Sequence, residues 1–199
     1  MKDPHGIVLH RILNTYAPVD ETTATLILDT GTIETCKKNE ILFHENRFNA
    51  FEYFQLSGVS HRYNLDQDDQ PLTTGIYQHE IVITPHFART KNGQSIFSMQ
   101  TLADSVFLKV PAGIFSDLRQ QNSQIRTFGQ AVVEKEFARS MNFEVLFRSQ
   151  TARDRLLNFR IAYPSLENVI PHTVIASYLG ITPVSFSRLR NELAKRSDS

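Results

Sequence analysis

The residues with the clearest capacity for specific chemistry lie near the end of the chain, in the stretch Thr182-Pro-Val-Ser-Phe-Ser-Arg-Leu-Arg-Asn191. At helical spacing, Phe186 and Leu189 turn to one side. Thr182, Pro183, Val184, Ser185, Ser187, Arg188, Arg190 and Asn191 are left for the other side and the helix start. Guanidinium groups bind the O6 and N7 edge of guanine through two parallel bonds in the major groove. Short hydroxyls and a helix N-terminus suit phosphate oxygens. The set therefore points to reading bases and gripping a backbone rather than to making or breaking bonds. Arg188 is the expected base reader, and Val184 is placed to meet a thymine methyl. Thr182, Ser185 and Ser187 are expected on phosphates, with Lys195 and Arg196 adding unspecific attraction. The alternative for each arginine is an ordinary solvated helix side chain.

Other chemistries find less support. The seven histidines (His5, His10, His44, His61, His79, His86 and His172) form no His-x-His pair with a following Glu, as a metal-binding cupin would need. Gln78-His79-Glu80 with His86 is the nearest approach to a metal cluster. Cys36 is the only cysteine, so no internal disulfide, thiolate zinc site or four-cysteine cluster can form. Asp66-Gln-Asp-Asp-Gln70 lacks the glycine and terminal glutamate of a calcium loop and reads as a solvated hairpin turn. No glycine-rich phosphate loop or nucleophile elbow is present. No catalytic residue, metal or cofactor is assigned, and the chain is not expected to be an enzyme.

The reading surface must be held by something. Pro171 and His172 open a helix to Leu179, and Gly180 stands where a left-handed residue is needed. Ile181 turns back to the core. Thr182 is an N-cap and Pro183 a first helical residue for a second helix to about Leu193. Counted from His172, Ile175, small Ala176, Leu179, Gly180, Ile181, Phe186 and Leu189 fall at the positions that fix two crossed helices: a helix-turn-helix. A plain helical hairpin in a core is the bland alternative.

Upstream, Ser123–Phe147 reads as a long helix with two apolar stripes, Ile125/Phe128/Val132 and Val133/Phe137/Met141/Val145. A helix apolar on two faces is covered on both: one side can lie on the sheet and a second copy of the chain would cover the other, the bland alternative being that both faces are buried within one chain. Thr151–Pro164 is a further helix with Leu156, Leu157, Phe159 and Ile161. Between Thr32 and Val110, eight short apolar or alternating segments separated by turns suggest an antiparallel sandwich or jelly roll. Two short helices precede it, Asp20 capping the second. Bases and acids balance over the chain, but from Gln150 to Ser199 seven bases face four acids. A basic end is consistent with nucleic acid. The N-terminus has no signal-like apolar run, and nothing approaches a membrane span, so the expected setting is the cytoplasm.

Over nearly its whole length the sequence resembles the Crp/Fnr regulators, in a branch common in Bacteroidetes. The dense match is TARDRLLNFRIAYPSLENVIPHTVIASYLGITPVSFSRLRNEL; KKNEILFHENRFNAFEYFQLSGVSHRY matches more loosely, without the usual second glycine around Arg47–Asn49. The resemblance implies an α+β chain with an N-terminal double-stranded β-roll (1–121), a dimerisation helix (122–148) and a C-terminal winged helix-turn-helix (149–199). It also implies a homodimer on a near-palindromic duplex, with RNA polymerase a further candidate partner, and places Arg188 on the family's guanine-reading arginine. Cyclic-nucleotide-binding members carry "GEL" and, after a glycine, "RS". Aligned on Gly93, this chain has Pro85, His86 and Phe87, then Ile96 and Phe97. The phosphate's counter-charge is missing unless Arg89 or Lys91 reaches in, so cAMP is not the expected effector. The competing reading is a cupin-like small-molecule or metal-binding protein with a structural helical end.

Overall fold

A computed structural model describes residues 3–83 and 92–197. Each early helix begins on a residue that satisfies its free N–H groups. Asp3 caps α1 (Pro4–Asn14), and Asp20 caps α2 (Glu21–Asp29), its carboxylate accepting from the Thr23 N–H at 2.7 Å. Among the described residues eight strands follow: β1 (Thr32–Cys36), β2 (Ile41–Phe43), β3 (Phe51–Ser57), β4 (Val59–Leu65), β5 (Pro71–Gln78), β6 (Ile81–Val82), β7 (Ser98–Thr101) and β8 (Ser105–Pro111). They follow the eight segments expected from the sequence, although the segment expected to run to Phe87 leaves the described residues after Ile83.

The strands form two antiparallel sheets of four, ordered β1-β8-β3-β6 and β2-β7-β4-β5. Between them lie Phe43, Tyr53, Tyr77, Phe97, Met99 and Phe107. The alternation in β8, where Phe107, Leu108 and Val110 are fully buried, lets one strand serve both this core and the helical layer behind it. At the β4–β5 turn the Asp66 carboxylate accepts from the N–H groups of Asp68 and Gln70, which is the work of a hairpin turn.

After β8 the described chain is helical: α3 (Ala112–Gln121), α4 (Ser123–Ser149), α5 (Ala152–Ala162), a 3-10 turn (Leu166–Asn168), α6 (His172–Tyr178) and α7 (Pro183–Ser197). The two stripes on α4 part company as their spacing demands. Ile125, Phe128 and Val132 are buried with α1, α2 and the back of the β3/β8 sheet, Phe128 stacking on Phe54 and meeting Tyr16 edge-on. The second stripe faces outward: Phe137, Met141 and Val145 are 67%, 46% and 59% exposed, and Val133 is half-buried. Among the described residues no strand follows β8, so the β wing implied by the family resemblance is not found there. The links after α4 are short, two to four residues each, with the 3-10 segment between α5 and α6. Among the described residues no helix is long and apolar enough to cross a membrane.

Candidate nucleic-acid interface

The helix-turn-helix is built on a satellite core of its own. Ile175, Ala176, Leu179 and Phe186 are buried with Leu156 and Phe159 of α5 and with Leu166 and Ile170. Ala176 is fully buried, as a close helix crossing requires. The turn closes as a Schellman motif: the Ile181 N–H donates to the Ala176 carbonyl and the Gly180 N–H to the Ser177 carbonyl, both at 3.0 Å, with Gly180 at φ +65°. The Thr182 hydroxyl oxygen accepts from the Ser185 N–H at 3.1 Å, and Pro183 follows as the first residue of α7. The sequence thus dictates both the angle and the starting point of α7.

The outer side of α7 is open. Val184 is 79% exposed and the Arg188 side chain 75%. Thr182, Pro183, Ser187 and Asn191 are exposed too, while Ser185 is half-buried and takes a hydrogen bond from the Thr182 hydroxyl. Arg188 is held only loosely, 3.7 Å from Glu192, and exposed pairs of that kind contribute little. These residues form one surface.

Arg190 does not share that freedom. Its Nε donates to buried Glu167, its Nη1 lies 3.4 Å from His172 Nδ1, and its guanidinium sits 5.9 Å from the Phe186 ring centroid. Glu167 also receives two bonds from Arg160, at 2.6 and 3.0 Å. Burial alone would raise the Glu167 carboxyl, but its bonds to Arg160 and Arg190 outweigh that and hold it below the usual carboxylate range. Arg190 therefore braces α7 against the 3-10 turn, where helical spacing alone had placed it with the outward set. Sequence reasoning missed Glu167 and Arg160 because the two are joined across the break between α5 and the 3-10 turn, and Arg190 lies 23 positions further on.

The unit is fastened to the rest of the protein at two places. The first is the edge of the roll. β5 ends its sheet, so its outer N–H and C=O groups lack a strand partner. Ser177 Oγ of α6 accepts from the Thr73 N–H at 2.9 Å and donates to the Pro71 carbonyl at 3.0 Å; the Tyr163 hydroxyl donates to the Ile76 carbonyl at 3.3 Å. Val59, Ile76 and Leu102 of the roll pack into the same core as α5 and α6. The second is the end of α4, where Arg155 of α5 donates to the Phe147 and Gln150 carbonyls and Phe143 packs on Tyr178 of α6, ring centroids 5.3 Å apart.

Between roll and α4 lies an ion cluster that the sequence did not reveal. Arg62 of β4 donates to Glu136 of α4 at 2.7 Å, and Arg139 donates to both Glu136 oxygens, at 2.8 and 2.7 Å, and to the Tyr77 hydroxyl at 3.3 Å. Burial opposes the charge on Glu136, but Arg139 and Arg62 prevail and keep its carboxyl below the usual range. Of the residues aligned with a cyclic-nucleotide pocket, Ile96 is 49% exposed and Phe97 is buried; Pro85, His86, Phe87, Arg89 and Lys91 lie outside the described residues. Arg196 is described in its backbone only. His61 is buried between Thr73 and Gln100, and burial pushes its pKa down. Cys36 is buried, its thiol pushed up to about 11 by burial and by Glu34 and Glu40, which suits an inert side chain. Among the described residues no three His, Cys, Asp or Glu side chains stand close enough to hold a metal ion.

No protein-family model matches the sequence, and no curated protein matches it. Solved structures do resemble it in shape. FixK2 from Bradyrhizobium japonicum aligns with a TM-score of 0.73 at 16% identity, over 84% of this chain and 86% of that one. CLP, a c-di-GMP-responsive global regulator of Xanthomonas campestris, aligns at 0.74 and 11% identity, over 89% and 93%. A protein described as a Crp/Fnr-family transcriptional regulator, from Eubacterium rectale, aligns at 0.72 and 17% identity, over 92% and 88%. With two facing sheets, one long helix and a terminal helix-turn-helix in the same order, the chain has the fold of the Crp/Fnr regulators.

Proposed function

We propose that the chain is a sequence-specific DNA-binding transcriptional regulator that works as a homodimer and catalyses no reaction. The observation that carries this reading is the contrast along α7. Phe186 and Arg190 are spent on holding the helix, while Val184, Ser187, Arg188 and Asn191 are left outward on a helix whose start is fixed by Thr182 and Pro183. In this reading Arg188 reads a base and Val184 touches a thymine methyl. Thr182, Pro183, Ser185, Ser187 and Asn191 line the backbone contact, and Arg190 fixes the helix that carries them.

Two copies are needed to read a near-palindrome, and the Phe137/Met141/Val145 stripe supplies a seam for them. The paired recognition helices would then address half-sites about one helical turn, roughly 34 Å, apart. The reading includes no cAMP effector: Ile96 stands where a phosphate-neutralising arginine is expected, and a phosphate without its counter-charge is costly to hold.

Selection of bound sequences from random duplex DNA tests the proposal, and enrichment of inverted repeats is the expected result. Arg188→Ala should then weaken binding by about 1–3 kcal/mol and relax preference at one base pair in each half-site. A variant that keeps the parent's full sequence profile would remove Arg188 from the reading role.

A further inference from the structure

We propose that Arg155 is a positioning residue that sets the separation between the two recognition helices of the dimer, and so the half-site spacing the protein accepts; this rests on the DNA-binding reading above. The last carbonyls of any helix lack partners within it. Arg155 Nη1 donates to the carbonyls of Phe147, at 3.3 Å, and Gln150, at 2.8 Å, both at the end of α4. Its Nε donates to the Leu179 carbonyl, at 3.0 Å, in the turn that leads into α7. One planar side chain thus ties the end of α4 to the end of α6, at the turn from which the recognition helix departs. A guanidinium does this with several N–H groups in a fixed plane, and a lysine cannot span the same three oxygens.

The joint is packed as well as bonded. The guanidinium lies 4.6 Å from the Phe147 ring centroid, and that ring rests on Gly180 so closely that a Cβ there would fall 2.2 Å from its Cζ atom. Asn158 donates to the Gln150 side chain at 2.8 Å and closes the rim. The leverage is large. α7 has 15 residues, so it is about 22 Å long. A tilt of roughly 10° at its base moves its far end by about 4 Å, more than the 3.4 Å rise of one base pair. Discrimination between spacings one base pair apart therefore requires a joint that does not tilt. The contacts of Ser177 and Tyr163 with β5 keep the unit attached when Arg155 is removed.

The test uses the full chain with two readouts. Nitroxide labels at an Ala194→Cys site, in a Cys36→Ala background, report the distance between the two α7 helices of the dimer. Inverted repeats of the selected half-site, at separations stepped by one base pair around one helical turn, report spacing preference. In Arg155→Ala the distance distribution should broaden. The Kd ratio between best and next-best separations should fall to about one-tenth of the parent's, while affinity for a single half-site stays unchanged. Arg155→Lys should resemble Arg155→Ala. Phe147→Leu, which leaves every carbonyl in place, should give a smaller broadening and provides the reading if Arg155→Ala fails to fold. Parental distances and a parental spacing profile in these variants would overturn the proposal. Broadened distances in a protein that binds no duplex would instead sink the DNA-binding reading, and the spacing claim with it, while leaving the joint established. A monomeric parent would overturn both.

Discussion

Gly180→Ala is the substitution for which the structure gives the most complete account. Gly180 sits at φ +65°, in the left-handed region, where an L side chain costs about 1–2 kcal/mol. The added Cβ would also lie 2.2 Å from Phe147 Cζ and 2.7 Å from its Cε2. Those are the far atoms of a side chain already 40% exposed, so the ring swings out rather than the backbone breaking. Losing roughly half of a phenylalanine's burial costs about 1 kcal/mol. The sum is about 2–3 kcal/mol, or a fall in Tm of roughly 4–12 °C for a chain of this size. Urea and thermal unfolding followed by far-ultraviolet circular dichroism measure it. The two parts separate in a double-mutant cycle: with Phe147→Ala in place, Gly180→Ala should cost only its backbone part, giving a coupling of about 1 kcal/mol. Gly180→Asn should fall below Gly180→Ala in cost, because asparagine tolerates the left-handed region but carries the same Cβ. A Gly180→Ala protein as stable as the parent, or strictly additive single and double substitutions, would refute the reasoning.

The remaining expectations are these. A Phe137→Asp, Met141→Glu protein should sediment as a monomer at concentrations where the parent is a dimer, with association weakened at least about 100-fold, since it buries carboxylates at the seam; an unchanged dimer would move the interface elsewhere. Ser177→Ala leaves the Thr73 N–H and Pro71 carbonyl of the β5 edge without their partner, so hydrogen exchange at Thr73 should quicken, at a cost of about 1–3 kcal/mol to the contact between roll and α6; unchanged exchange would show the contact to be idle. Glu136 is held below its ordinary value of 4.5, so the stability it contributes is complete at neutral pH and is lost as the pH falls through 4.5 toward its value in the fold. Glu136→Gln should therefore be less stable than the parent at pH 7, with the gap closing in acid; a gap that is constant with pH would mean that its charge is not what matters.

What the sequence makes legible is what depends on neighbours in the chain. Gly180, Ala176, Thr182 and Pro183 each answer a local demand of backbone angle, close crossing or capping, so the turn and the start of each helix can be placed to within a residue or two, whereas α7 runs on to Ser197, four residues past the expected end at Leu193. The two stripes on α4 show in their spacing, but which of them stays exposed does not: burial of both within one chain fits the same spacing, and the packing leaves Phe137, Met141 and Val145 outward. The direction of Arg190 does not: helical spacing puts it near the outward set, and only Glu167, 23 positions earlier, turns it inward. The Arg62–Glu136 pair spans 74 positions and Ser177–Pro71 spans 106, with nothing in composition or period to announce either. On α5 the apolar residues look alike in the sequence, yet Leu156 and Phe159 are buried while Ile161 is 76% exposed, because the choice is made by α6 and the 3-10 turn packing on one side only. The wing came from resemblance rather than from any residue pattern, and it is the expectation that the described residues do not meet.

The two fastenings of the helix-turn-helix differ in kind. Ser177 and Tyr163 meet β5 through neutral hydrogen bonds, worth about 0.5–1.5 kcal/mol each, beside the apolar contact of Val59, Ile76 and Leu102. Arg155 meets α4 and the turn through bonds from a charged group, worth about 1.5–3 kcal/mol each, with the Phe147 ring beneath it. The joint with α4 is thus directional, one guanidinium fixing two carbonyls of that helix end, while the edge of the roll holds by several weaker bonds and by apolar area. On the DNA-binding reading proposed above, the joint with α4 is the one that would set half-site spacing, because that spacing is measured along the dimer seam and not across the sheets.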